Sequence, residues 1–186
     1  MSLPAGQGAV PQAGSSIAAG ASALASAGSA GRLLLASSGA TEQLARRLAD
    51  AVQPGDAILL EGPIGAGKTH FARALIGALQ RAAGQAPEEV PSPSFTLVQT
   101  YRAGSREVWH ADLHRLSGPE EIGELGLDLA LETAICLVEW PGRLGDLAPR
   151  DALRLHLEPG AHEESRIATL TATGPRGRAL ADVATA

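Results

Sequence analysis

The sequence predicts an α/β domain built on a mixed β-sheet, on three observations. An apolar run, Ala57–Leu60, passes through a glycine-rich stretch into residues at helical spacing: Phe71, Ala72, Leu75, Ile76 and Leu79. A strand-like and then a helix-like pattern precede it, so the chain opens like a doubly wound domain. Later segments alternate in short runs separated by turns, as hairpins do, which makes the sheet mixed and not purely parallel.

The elements follow in order. Arg32–Ala36 reads as a first strand. Ser37 and Ser38 supply capping hydroxyls, and Leu44, Leu48 and Val52 then recur at helical spacing. Gln53–Asp56 reads as a turn before the strand at 57–60. The helix after the glycine-rich stretch runs to about Ala83, where Gly84 can end it. Residues 85–94 hold three prolines and read as a linker. Phe95–Tyr101 alternates as a half-exposed strand, Ala103–Ser105 turns, and Arg106–Asp112 is the returning strand. Two short helices fall between Pro119 and Glu132, and Ile135–Glu139 is a buried strand. Leu153–Glu158 and Arg166–Ala172 form a terminal hairpin, and a short helix is expected from Gly177. Residues 1–31 carry no charged side chain and little buriable surface, so they are expected to be a disordered tail. Residues 32–186 would then be a single domain.

Bulk properties narrow the function. A net charge of −5 and 3% aromatic residues supply neither phosphate neutralisation nor stacking platforms, which disfavours direct RNA binding. The single cysteine, Cys136, excludes an internal disulfide and a multi-cysteine metal site; its apolar neighbours mark it as a core thiol. No stretch has the length and apolarity of a membrane span, and the leading residues lack the pattern of a secretory signal, so a cytoplasmic location is expected.

The glycine-rich stretch is Gly62-Pro-Ile-Gly-Ala-Gly-Lys-Thr69, a G-x-x-x-x-G-K-[ST] phosphate-binding loop between a strand and a helix. The glycines let backbone N–H groups turn inward and approach phosphate oxygens closely, and the helix N-terminus adds partial positive charge. Lys68 can reach the β- and γ-phosphates, and the Thr69 hydroxyl can ligate Mg²⁺. The fold expectation is therefore P-loop NTPase-like.

A triphosphatase also needs acids for the metal, a group to orient water and a loop that senses the γ-phosphate. Ser92, Ser94 and Thr96 sit in a proline-stiffened segment that reads equally as a switch loop or as an ordinary loop with capping serines. Asp112 and Glu139 each end a strand, where an acid beside the phosphate loop suits Mg²⁺, directly or through water, although Glu139 also reads as a solvent-facing acid after a core strand. Alternation sets His110, Asp112 and His114 on one face, which leaves a transition-metal site conceivable. Glu61, just before the loop, is a weaker candidate that need only accept a hydrogen bond in the turn. Arg115 and Arg166 are the arginines that could assist hydrolysis in cis.

Beyond the loop, Ser92-Pro-Ser-Phe-Thr-Leu-Val98, His110-Ala-Asp-Leu-His-Arg-Leu116, Glu121 through Gly126 and Ile135-Cys-Leu-Val-Glu-Trp-Pro141 occur together and in order. In this combination the chain resembles the bacterial TsaE (YjeE) family, the small ATPase of threonylcarbamoyladenosine synthesis on tRNA, over roughly residues 33 to 172. The resemblance implies helices on both faces of the sheet and a bound ATP with Mg²⁺. It implies that Lys68 and the backbone from Gly65, Ala66 and Gly67 to His70 hold the phosphates, that Thr69 and Glu139 hold the metal, that Asp112 lies near the γ-phosphate, and that Lys68, Asp112 and Glu139 carry the chemistry. The segment Ser92 to Thr96 would be switch-like, and the region around Ser37 to Thr41, with Ser38 and Thr41 as its contacts, would border the adenine. It also implies a TsaD-type transferase subunit and a TsaB-type companion as partners, with hydrolysis resetting their complex and tRNA reached only through it. Two departures stand out: His114 replaces a usual tyrosine, and Pro63 replaces a usual acid. The rival is a small-molecule kinase or other nucleoside-triphosphate enzyme, disfavoured because Arg143, Arg150 and Arg154 are scattered and form no lid. A third reading is a nucleotide-dependent binding module whose hydrolysis is incidental.

Overall fold

The computed structural model describes Met1, residues 28–116 and residues 120–186. Seven strands form one sheet in the order β1-β7-β6-β2-β5-β4-β3. They are β1 (Gly28–Leu35), β2 (Ala57–Glu61), β3 (Val98–Ala103), β4 (Arg106–Asp112), β5 (Ile135–Glu139), β6 (Ala152–Pro159) and β7 (Arg166–Thr173). The central set β6-β2-β5-β4 is parallel, and the flanks β1/β7, β7/β6 and β3/β4 are antiparallel. The sheet is mixed, as the sequence predicts.

Helices cover both faces. β2 and β5 are buried on both sides, so their alternate residues feed two separate cores. On one side Ile58, Leu60 and Leu137 pack under α1 (Ser38–Ala51), α2 (Lys68–Ala82) and α5 (Gly174–Thr185), with Leu44, Leu75, Ile76 and Leu180. On the other, Leu59, Cys136 and Val138 meet α3 (Glu120–Glu124), α4 (Leu127–Thr133) and the 3₁₀ segment Pro141–Leu147 through Ile122, Leu127 and Leu144.

Local signals account for the helix ends. The Ser37 hydroxyl accepts from the Ala40 N–H and caps α1. Beyond α2, Gly84 N–H bonds the Arg81 carbonyl and Gln85 N–H the Gln80 carbonyl, a Schellman closure. Burial has a clear consequence for Cys136: it pushes the thiol up to about 12, so the group stays protonated at neutral pH.

Four boundaries differ from expectation. The expected disordered tail at 1–31 falls mostly outside the described residues, but β1 begins at Gly28, before Arg32. Those small residues carry no hydrophobic signal and are recruited by backbone pairing, Gly28 opposite Ala172 and Ser29 opposite Thr171. β3 starts at Val98 and not at Phe95, because Leu97 takes φ +64° and donates its N–H to the Pro93 carbonyl, closing a turn. The 3₁₀ segment after Trp140 was not anticipated. The last helix starts at Gly174, three residues before Gly177, with Asp151 accepting from the N–H groups of Arg176 and Gly177.

That helix is also pinned by charge. Asp56 is 4% exposed and accepts from Arg176 Nε at 3.0 Å and from the Gln53 N–H at 2.9 Å. Arg176→Ala would leave a buried carboxylate short of partners. Because the Arg176 side chain is itself 38% exposed, the cost is expected at about 1–2 kcal/mol, a melting temperature lower by roughly 3–6 °C in thermal denaturation.

Candidate nucleotide-binding site

The site lies at the carboxyl ends of the parallel strands, where open α/β sheets bind ligands. β2 delivers the phosphate loop, and its glycines are required by geometry. Gly67 has φ +101°, and a Cβ on Gly62, at φ +125°, would stand 2.1 Å from the Leu157 carbonyl oxygen. The loop leads directly into α2, so the helix N-terminus opens onto the cleft. Lys68 is nearly buried and folds back over the loop. Its Nζ donates to the Gly62 and Pro63 carbonyls at 2.9 and 2.8 Å and lies 4.4 Å from the Trp140 ring centroid. Burial lowers its pKa from the ordinary 10.5, against the opposing pull of Glu139 and Asp112.

β4 and β5 bring the two acids together. In the parallel register Asp112 pairs with Glu139, so both carboxylates emerge side by side at the sheet's end. Glu139 is 3% exposed; its Oε1 accepts from the Thr69 hydroxyl at 2.7 Å and lies 2.9 Å from His110 Nε2. An ionised carboxylate there requires the His110 ring to donate. His110 is fully buried and its Nδ1 has no hydrogen-bond partner among the described residues. Asp112 is 5% exposed and accepts from the Ser94 hydroxyl at 2.7 Å, and Ser94 in turn lies 2.7 Å from the Ser92 hydroxyl. The serine segment is thus tied to the second acid.

Lys68, Thr69, Asp112, Glu139, Ser92 and Ser94 line one cleft of about 360 Å³, with Arg115 and His114 at its side, and His110 lies behind it. An adjoining cavity of about 310 Å³ shares Gly67 and His70 and is lined by Ser38, Thr41, Glu163, Glu164 and Arg166. The phosphate loop therefore stands between the cleft of Lys68, Asp112 and Glu139 and a smaller cavity that combines hydroxyls with Glu163, Glu164 and Arg166. Oxygen donors paired across Thr69 and Glu139 suit a hard divalent cation such as Mg²⁺ far better than a soft metal.

Other expected site residues lie elsewhere. Thr96 is exposed on the turn before β3 and does not line the cleft. Ala66 is buried and contributes its carbonyl, which accepts from Arg166 Nε at 3.0 Å. The transition-metal arrangement does not form. Strand alternation does put His110 on the face of Asp112, but its ring is spent on Glu139, while the exposed His114 ring tilts against Trp140 at 4.8 Å. No metal-binding group of three such side chains occurs among the described residues. Glu61 turns sideways along the sheet to pair with Arg154 at 2.7 Å. The sequence reading did not anticipate His110 behind Glu139, Trp140 beside Lys68, or Arg166 on the loop carbonyl. Alternation with Asp112 was the one signal that could have pointed to His110.

Comparison with known proteins agrees with the fold and shows the family. The model of the family "Threonylcarbamoyl adenosine biosynthesis protein TsaE" matches residues 35–168, well over half the chain. The chain belongs to the TsaE family. The tRNA threonylcarbamoyladenosine biosynthesis protein TsaE of Bacillus subtilis is 32% identical over 143 residues, 76% of this chain and 85% of that protein. The protein of the same name from Mycobacterium tuberculosis is 33% identical over 138 residues, 69% and 79% of the two chains. The Rickettsia conorii protein is 40% identical over 118 residues, 63% of this chain; the match spans 65% of its own length, just under two thirds. The crystal structure of Bacillus subtilis YdiB superposes with a TM-score of 0.66 at 27% identity, covering 83% of this chain and 93% of that one. A TsaE family member with this loop and sheet has the fold of a nucleotide-hydrolysing protein. Among the described residues no helix is long and apolar enough to cross a membrane.

Proposed function

We propose that this TsaE family member is a Mg²⁺-dependent ATPase that serves tRNA threonylcarbamoyladenosine formation at position 37 in the cytoplasm. It acts beside a TsaD-type transferase subunit and a TsaB-type companion, resets their complex between turnovers, and does not itself transfer the threonylcarbamoyl group. The observation that carries the reading is the 2.7 Å contact between Thr69 and Glu139 beside Lys68 and Asp112. It supports a magnesium–triphosphate site and not a bare anion cradle.

In this reading the amides from Gly65 to His70 hold the polyphosphate, and the Lys68 ammonium leaves the loop carbonyls for the β- and γ-phosphate oxygens. Thr69 and Glu139 hold Mg²⁺, which when bound neutralises charge developing on the phosphates. Asp112, steadied by Ser94, orients the attacking water and receives its proton on the way to solvent. Ser38 and Thr41 border the base in the adjoining cavity. The relatives' names tie them to tRNA threonylcarbamoyladenosine biosynthesis, which supports the pathway and implies other subunits.

The test is ATP hydrolysis measured with and without the two partner proteins and tRNA, alongside formation of the modified base. We expect slow turnover alone, faster turnover in the complex, and no sustained modification when the chain is omitted. Full modification without it, or phosphoryl transfer to a small molecule without partners, would sink the proposal.

A further inference from the structure

A triphosphatase also uses a mobile cation for the charge that develops on the transferring phosphoryl group. Building on the hydrolysis reading, we propose that Arg115 is that catalytic arginine, acting in cis, and that the Phe95 ring competes for it by holding it aside.

Among the described residues, two arginines line the paired cavities that share Gly67 and His70, and a third, Arg143, lies beside Gly62 at the start of the loop, outside both. Arg166 is committed elsewhere: Nε donates to the Ala66 carbonyl at 3.0 Å, and one terminal nitrogen donates to the carbonyls of Glu163 and Ser165. It clamps the loop from the adjoining cavity, where Glu163 and Glu164 also lie, and not from the cleft of Asp112 and Glu139. Arg115 lines the phosphate cleft itself with Lys68, Thr69 and Asp112, three residues beyond the acid that begins its turn. It is exposed, forms no ion pair among the described residues, and rests on the Phe95 ring with its guanidinium carbon 4.4 Å from the centroid. Phe95 is 84% exposed and follows Ser94, whose hydroxyl bonds Asp112. An 84% exposed aromatic gains little by burial, so its use here is the cation it holds.

The strengths of the two positions make this a competition and not a lock. A cation–π contact at an exposed site favours the parked position by only about two- to fivefold. Charge-assisted hydrogen bonds from a planar guanidinium to phosphate oxygens are stronger, so a triphosphate in the cleft can draw Arg115 off the ring. During hydrolysis the water oxygen bonds the γ-phosphorus while the bond to the β–γ bridging oxygen breaks. The electron pair stays with ADP, and the water proton leaves through Asp112 to solvent. Arg115 exchanges no proton; it stabilises the negative charge spread over the phosphoryl oxygens.

Single-turnover hydrolysis and nucleotide binding, measured on the full chain, test this. Arg115→Ala is expected to slow the chemical step about 10²-fold while changing the dissociation constant of a non-hydrolysable ATP analogue less than about threefold. Arg115→Lys should recover part of the rate, since it returns the charge without the fork. Phe95→Ala should raise the rate by up to about fivefold, and only when Arg115 is present. An Arg115→Ala rate within threefold of wild type would overturn the assignment, as would an equal loss in analogue binding. A Phe95→Ala gain that persists without Arg115 would overturn the role of the ring. Wild-type protein that never turns over would remove the reaction altogether, an outcome distinct from active wild type matched by Arg115→Ala.

Discussion

Lys68→Ala is expected to lower ATP hydrolysis by about 10²–10³-fold and to abolish the modified base in a reconstituted system. The reason lies in where the ammonium sits. Its donors reach two loop carbonyls, its charge faces the Trp140 ring, and both acids lie close enough to pull its pKa upward against burial. It is the buried cation of a cleft whose other fixed charges include two carboxylates, so its removal leaves Glu139 and Asp112 facing a polyanion. Stability should suffer far less than activity. A lysine whose pKa is lowered on folding penalises the folded state at every pH below the folded value, and the penalty fades as pH rises toward 10.5. Its loss therefore removes a desolvation cost along with two hydrogen bonds. The same sign gives a pH expectation: nucleotide affinity should weaken as pH rises through the lowered Lys68 pKa, earlier than for an ordinary lysine. Melting curves, nucleotide titrations and modification assays on one preparation separate these effects. Normal modification by Lys68→Ala would refute the proposed role.

Local patterns carried much of this molecule. The strand–loop–helix unit at 57–82 is written in residues that act on their near neighbours: glycines that the loop geometry demands, and an apolar face at helical spacing. β5 appeared at its observed bounds because five buried residues in a row end in an acid. Contacts set by sheet register were out of reach. Asp112 and Glu139 could each be read as strand-ending acids, but only the parallel pairing of β4 with β5 sets them side by side. His110 illustrates the same limit. Alternation put it on the face of Asp112, and that geometry suited a transition metal as well as a hydrogen bond. The Glu139 carboxylate at 2.9 Å decides for the latter. The misread strand start at Phe95 has a different cause. Phe95 and Leu97 do alternate with Thr96 as a strand would, but Leu97 adopts a left-handed backbone that ends a turn and leaves Phe95 and Thr96 exposed. The interval between Pro93 and Val98 is shaped by closure around the site, which hydrophobic periodicity does not encode.

The second large effect is expected from Glu139→Gln, which keeps the shape of the side chain and removes its charge. The amide oxygen can still accept from Thr69, so the loop and helix should remain in place. A buried carboxylate is costly to desolvate, so the folded state should be as stable as wild type or slightly more so. What is lost is the anionic oxygen beside Thr69. Hydrolysis is expected to fall about 10²–10³-fold, and the Mg²⁺ concentration for half-maximal activity should rise, whereas binding of nucleotide without metal should change little. That split distinguishes a metal ligand from a purely structural acid, whose loss would lower stability and metal-free binding together. Following modification of tRNA with the same variant decides a further point. If turnover collapses while modification proceeds, nucleotide occupancy alone suffices and hydrolysis is incidental. If both collapse together, the energy of hydrolysis drives the cycle, and the pairing of Thr69 with Glu139 is where a generic phosphate loop becomes a working triphosphatase.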